Sequence, residues 1–132
     1  MTGFLLDTNH VSGIIRHQGN LAARRRANVD AELIVSMPSV GELWYMVLNS
    51  ARVDANTVVL ERVLADLQIL NFDGDAAREF GRVKSELRRL GRPMPDVDSQ
   101  IAAIARLHGL TLLTADAHFW HVPGLRTENW LN

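Results

Sequence analysis

The sequence predicts an α/β fold in which a parallel sheet is covered by helices on both faces. Three observations carry this. Short apolar runs at Phe4-Leu5-Leu6, Leu33-Ile34-Val35, Gln68-Ile69-Leu70-Asn71-Phe72 and Leu110-Thr111-Leu112-Leu113 alternate with longer segments of helical period. The first two are too short to show in–out alternation and read as buried strands. The first and last end in polar turns that carry a carboxylate, Asp7-Thr8-Asn9 and Thr114-Ala115-Asp116. Strands separated by helices imply right-handed crossovers, and in such sheets ligands bind at the carboxyl ends of the strands.

Taken in order, Val11 to Arg16 reads as a short helix interrupted by Gly13, and Leu21 to Ala27 as a second with Arg24-Arg25-Arg26 exposed. After the second strand, closed by Ser36-Met37-Pro38, the residues Val40, Leu43, Trp44, Val47 and Leu48 fall on one face of an amphipathic helix with Glu42 in its first turn. Leu60, Val63, Leu64 and Leu67 line a further helix before the third strand. The longest helix buries Ala76, Phe80, Val83, Leu87 and Leu90, and Gly91 stops it. Gly91-Arg92-Pro93-Met94-Pro95 is a stiff loop, since two prolines cannot continue a helix. A last helix runs from Asp96 to His108, with Asp96 as its N-cap. Beyond the fourth strand the tail reads as a turn of helix and a weak edge strand.

A chain of 132 residues buries one core, so residues 1–132 are expected to form a single domain. Hydrophobic residues at 47% and charged residues at 22% are those of a globular protein, not a disordered one. The net charge of −1 argues against a strongly basic nucleic-acid binder. Its positive side is nonetheless thirteen arginines against the single Lys84. Arginine's planar fork suits phosphate, and genome composition explains the same bias equally well. Without cysteine there is no disulfide, thiolate metal site or cysteine nucleophile. The opening apolar run is too short and too soon followed by Asp7 to be a signal peptide or a membrane span. The expected location is the cytoplasm.

A parallel sheet brings distant segments to its carboxyl edge, so Asp7 and Asp116 can be neighbours, with Glu42 and Asp98 in the opening turns of helices that begin there. Each has a plain structural role open to it. Asp7 or Thr8 would cap the next helix, Ser39-Val40-Gly41-Glu42 matches a capping box, Asp98 would complement a helix dipole and Asp116 would serve a turn. Together, however, carboxylates sharing a cleft repel one another unless something positive lies among them. Hard oxygen ligands suit Mg²⁺ or Mn²⁺, which would activate water and neutralise charge in displacement at phosphorus.

The segments Phe4-Leu5-Leu6-Asp7-Thr8-Asn9, Ser39-Val40-Gly41-Glu42-Leu43, Pro95-Asp96-Val97-Asp98-Ser99-Gln100-Ile101-Ala102-Ala103 and Leu112-Leu113-Thr114-Ala115-Asp116-Ala117-His118-Phe119 resemble the successive signatures of PIN-domain nucleases. Their order and spacing are similar to those of VapC-type toxins of bacterial toxin–antitoxin pairs, over essentially the whole chain. The resemblance implies a three-layer α/β/α PIN fold with four to five parallel strands and a Mg²⁺- or Mn²⁺-dependent endoribonuclease. It assigns Asp7, Glu42 and Asp98 as core acids, Asp116 as the fourth, and Thr8 and Thr114 as hydroxyls that orient carboxylates. Asp96 stays a cap. One departure stands out: where relatives usually carry Asp before the Phe of the last motif, this chain has His118.

RNA would be held through its phosphates, with Arg88, Arg89, Arg92 and Arg16 as candidate contacts, although solvated helix faces account for most of them. The resemblance also implies a VapB-type antitoxin and a homodimer. Tyr45 and Met46 are the expected exposed apolar pair beside Glu42, and Trp44 packs in the core. Among the histidines, His10 is placed to line the cleft and His17 and His108 read as structural. His118 and His121 stand three apart, a spacing that permits shared ligation, but surface or packing roles account for them. Three rival readings are weaker. A receiver-type signalling module needs paired acids at the first strand and a lysine after the last, and Lys84 lies within a helix. A haloacid-dehalogenase-type phosphatase needs Asp where Asn9 stands. A catalytically silent PIN scaffold would not need its acids intact.

Overall fold

Every expected strand forms, and the tail contributes a fifth. The structure, a computed structural model, describes residues 3–132, so Met1 and Thr2 of the opening run lie outside the described residues. The strands are β1 (Gly3–Leu6), β2 (Glu32–Ser36), β3 (Gln68–Leu70), β4 (Thr111–Leu113) and β5 (Arg126–Glu128), in the order β3-β2-β1-β4-β5. All neighbours are parallel, with Leu5 opposite Ile34 on one side and Leu112 on the other. The helices are α1 (Thr8–Ile15), α2 (Leu21–Ala27), α3 (Met37–Leu48), α4 (Val53–Ala65), α5 (Gly74–Arg89) and α6 (Asp96–Leu107), and a 3₁₀ turn spans Ala117–His121.

The period of the central strand divides the interior into two cores. Leu5 points with Ile34 and Leu112 into a cluster with Ala76, Val83 and Leu87 of α5 and Ile101 and Ile104 of α6. Phe4 and Leu6 point the opposite way, with Val35 and Leu113, onto Val11, Val40, Leu43, Leu60 and Trp130. A strand sandwiched between two helical layers must be apolar on both sides, which is why β1 shows no alternation. Leu5 and Leu6 are wholly buried, and each contributes about 1.5–3 kcal/mol of transfer free energy. The architecture is the expected three-layer α/β/α sheet.

Several boundaries differ from the sequence reading. β3 stops at Leu70 and β4 begins at Thr111, each shorter than its apolar run. Gly13 does not interrupt α1; a Cβ there would lie 2.7 Å from Leu131 Cδ2 and 2.9 Å from Leu21 Cδ1, so glycine serves close packing. Leu90 is exposed because it is the C-cap of α5, past the last buried turn.

The buried stripe of α5 instead includes Glu79, whose carboxylate accepts from Arg106 Nε at 2.9 Å and from Arg82 Nη1 at 3.1 Å. Arg106 also donates to Glu86 at 2.7 Å and to the Pro123 carbonyl at 3.0 Å. Burial alone would raise the Glu79 carboxyl, but the pairs with Arg106 and Arg82 outweigh it and hold it below its ordinary value. A carboxyl depressed on folding stabilises above its unfolded pKa and loses that contribution as pH falls through the folded one. Melting temperature should therefore decline as pH is lowered below about 4.5, and Glu79→Gln should flatten that decline in thermal melts. An unchanged slope in the variant would show that Glu79 is not the group responsible.

Candidate active site

The central position of β1 and β4 in the sheet sets the site. Asp7 follows β1 directly, and its backbone N–H extends the ladder to the Leu113 carbonyl at 3.0 Å. It is also the N-cap of α1, so one side chain both caps the helix and borders the cleft. Its Oδ1 accepts from the His10 backbone N–H at 2.8 Å and from His10 Nδ1 at 3.0 Å. His10 is fully buried, and its Nε2 accepts the Trp130 backbone N–H at 3.1 Å. Because Nε2 accepts, the proton sits on Nδ1 and is directed at Asp7. With Oδ1 engaged twice, Asp7 is held in one orientation against the cleft.

Glu42 is the sixth residue of α3, not a member of its first turn, because the helix starts at Met37 with Ser36 as N-cap. The Ser36 hydroxyl accepts the Ser39 N–H and donates to the Ser39 hydroxyl, so the capping-box alternative for Glu42 does not hold. Glu42 Oε1 instead accepts the Thr8 hydroxyl at 2.5 Å, a bond spanning two elements. The Thr8 hydroxyl thus ties the start of α1 to the Glu42 carboxylate of α3. Thr114 acts differently: its hydroxyl accepts the Asp116 backbone N–H at 3.0 Å, fixing the turn and not the carboxylate.

Asp98 lies in the first turn of α6, half-buried, and its carboxyl is pushed above the ordinary range. Burial is the largest cause, with Glu42 and Asp116 adding to it and His118 opposing. Asp96, expected as the cap, is not one. Pro95 occupies the N-cap with no side-chain cap bond, and Asp96 turns outward to accept from Lys84 Nζ at 2.5 Å. Both partners of that pair are more than half exposed, and pairs of this kind contribute about 0–1 kcal/mol.

Asp7, Thr8, Glu42, Asp98 and Asp116 all border one cleft of about 530 Å³, whose apolar wall includes Tyr45, Met46 and Phe119. Tyr45 and Met46 are exposed as expected, and Trp44 is half-buried. Among the described residues, no lysine or arginine lines the cleft. Arg88 and Arg89 border two other cavities, and Arg92 Nη1 lies 3.3 Å from His121 Nε2. His121 is therefore not paired with His118. His118 Nε2 lies 3.1 Å from Asp98 Oδ2 and 3.8 Å from Asp116 Oδ2, so this residue joins the acids where surface or packing roles were expected. An oxygen-rich cleft in which burial, Glu42 and Asp116 raise the Asp98 carboxyl, with no lysine or arginine among the described residues on its walls, fits a hard divalent ion.

A family model described as PIN domain matches residues 4–125. The chain is 34% identical over 132 residues to the "tRNA(fMet)-specific endonuclease VapC" of Shigella flexneri, covering 98% of this chain and 99% of that one. It is 37% identical over 133 residues to "Ribonuclease VapC2" of Haemophilus influenzae, covering 99% and 100%. Among solved structures it is similar to VapBC2 from Rickettsia felis bound to a promoter DNA fragment, with TM-score 0.91 and 26% identity over 98% of this chain and 99% of that chain. It is also similar to DNA-bound VapBC from Salmonella typhimurium, with TM-score 0.90 and 31% identity over 98% and 99%.

Proposed function

The chain belongs to the PIN-domain family, and from that premise we propose that it is a VapC-type endoribonuclease, the toxin of a toxin–antitoxin pair, acting through Asp7, Glu42, Asp98 and Asp116. One observation carries the proposal: these four carboxylates border the same cleft. They would hold a divalent cation, Mg²⁺ or Mn²⁺. When bound, such an ion supplies a water of lowered pKa and positive charge facing the scissile phosphodiester. The protein's own part is positional. His10 fixes Asp7, Thr8 fixes Glu42, and Thr114 shapes the turn that presents Asp116.

Residues 1–132 would form the whole catalytic domain. Arg88, Arg89 and Arg92 are exposed on neighbouring surfaces and would meet phosphates of an RNA strand that extends past the cleft. A VapB-type antitoxin and a second copy of the chain are the proposed protein partners. The exposed Tyr45, Met46, Leu48, Val58 and Val59 of α3 and α4 support apolar contacts of that kind. No helix among the described residues is long and apolar enough to cross a membrane, in keeping with a proposed cytoplasmic location. Transfer RNA is the first substrate to test, given the Shigella flexneri relative's name.

The test is cleavage of RNA by purified protein with Mg²⁺ or Mn²⁺, and again with EDTA. Cleavage should appear with the metal and vanish with the chelator. Undiminished cleavage in EDTA would overturn the metal-dependent reading. A folded protein that binds the metal but cuts no RNA under any condition would favour the silent scaffold.

A further inference from the structure

We propose that the cavity between α5 and the loop leading into α6 binds a small organic acid, one carboxylate on a flexible aliphatic body. The cavity measures about 570 Å³, within the range of small-molecule sites. Its floor is built from Leu87, Met94 and Ser99, all buried, and its rim carries Lys84, Ser85 and Arg88. It shares no lining residue with the acid cleft. The site therefore stands apart from the nuclease reading and does not depend on it.

Gly81 keeps the cavity open. Glycine inside a helix destabilises it relative to alanine, a cost that close packing can offset. Packing offsets nothing here, because a Cβ at Gly81 would meet no atom within 4 Å beyond its own stretch of helix. The missing side chain instead leaves open wall of the cavity within the longest helix of the described residues.

Charge selects the ligand's head. No acid lines the cavity among the described residues, and its two cations are Lys84 and Arg88. Lys84 is committed to Asp96 at 2.5 Å, whereas no ion pair among the described residues engages Arg88. One uncompensated guanidinium fits one carboxylate, which its planar fork can hold through two parallel hydrogen bonds. The floor selects the body. Ser99 spends its hydroxyl proton on the Pro95 carbonyl at 3.1 Å, so the floor offers no free donor and a nucleobase would leave polar groups unpaired there. No aromatic ring lines the cavity among the described residues to stack on a base, and the flexible Met94 side chain suits an aliphatic chain. An RNA strand and an organic acid would compete for Arg88.

Calorimetric titration with octanoate, octanol and acetate tests this in the wild type, Arg88→Ala and Gly81→Leu. The wild type should bind octanoate at a single site, with the same affinity in Mg²⁺ as in EDTA. Octanol lacks the charge and acetate the chain. Each should bind about 10-fold more weakly or worse, the scale of one charge-assisted hydrogen bond or about two buried methylenes. Arg88→Ala should weaken octanoate by the same factor. Gly81→Leu should weaken it as well by filling the cavity, with a melting temperature at or above that of the wild type, since leucine is the better helix former. Absence of saturable octanoate binding, an affinity unchanged in either variant, octanol binding as tightly as octanoate, or displacement of octanoate by Mg²⁺ would overturn the site. Adenosine monophosphate is the competing occupant: binding tighter than that of octanoate, and lost in both variants, would assign the cavity to nucleotides and overturn the organic acid.

Discussion

Asp98→Asn should abolish RNA cleavage and leave the protein folded, with thermal stability in EDTA equal to or above that of the wild type. The two halves of that result have one cause. The Asp98 carboxyl is pushed above its ordinary value of 3.8 by burial and by Glu42 and Asp116. A carboxyl raised on folding is one whose ionised form the folded state disfavours, so at neutral pH its charge opposes folding. Asparagine keeps the shape and removes the charge, relieving that opposition. The same change removes a hard anionic donor. Replacing residues that merely support metal ligands costs about 10–100-fold, so losing a ligand should cost at least about 100-fold in cleavage rate. Addition of Mg²⁺ or Mn²⁺ should raise the melting temperature of the wild type and not of the variant, because an ion that binds only the native state stabilises it by mass action. Asp7→Asn should match the loss of activity. Its amide oxygen can still accept from His10, so the cap at α1 largely survives. Wild-type cleavage rates in either variant would remove these residues from the site.

Much of the site was legible because it depends on chain order. Asp7 and Asp116 follow apolar runs, and once those runs are read as parallel strands their carboxyl ends must share an edge. The order β3-β2-β1-β4-β5 makes β1 and β4 direct neighbours at the centre of the sheet. Glu42 was recognisable as a site candidate, but its depth in α3 was not. That depth depends on Ser36, a strand residue, doubling as the cap, which lets Met37 and Pro38 occupy the first helical positions.

What escaped the sequence reading depends on long-range contacts. Asp96 has the side chain of a good cap, and local rules assign it that role. The competing partner, Lys84, comes from α5, and nothing near Asp96 announces that the two helices pack side by side. Glu79 occupies a buried position on α5 that periodicity assigns to an apolar residue, and only Arg106 on α6 makes its burial tolerable. His10 and His118 look alike as isolated polar residues. One becomes a buried link between Asp7 and the C-terminal segment, and the other meets two aspartates, because of where Trp130 and Phe119 pack.

Trp130→Ala should destabilise the protein far more than Asp98→Asn, Asp7→Asn or Glu79→Gln. The indole is completely buried, its ring packs 4.7 Å from Phe4 of the central strand, and its Nε1 donates to Glu128 at 3.1 Å. Removing a buried tryptophan side chain costs about 3–5 kcal/mol, which at this chain length lowers the melting temperature by about 10 °C or more. The damage should also reach the site. The Trp130 backbone N–H holds His10, which holds Asp7, and the neighbouring segment is tied to the loop before α2 through Asn20 and the Asn132 carbonyl at 2.5 Å. At Gly19, with φ +57°, the same segment passes so close that an added Cβ would collide with the Leu131 backbone. Loosening residues 129–132 would therefore free the His10 ring and with it the orientation of Asp7. Activity of Trp130→Ala, measured well below its melting temperature, should fall, whereas Trp130→Phe, which refills most of the space, should recover most of both properties. A melting temperature within a degree or two of the wild type would mean that the C-terminal segment rests on the core without supporting it.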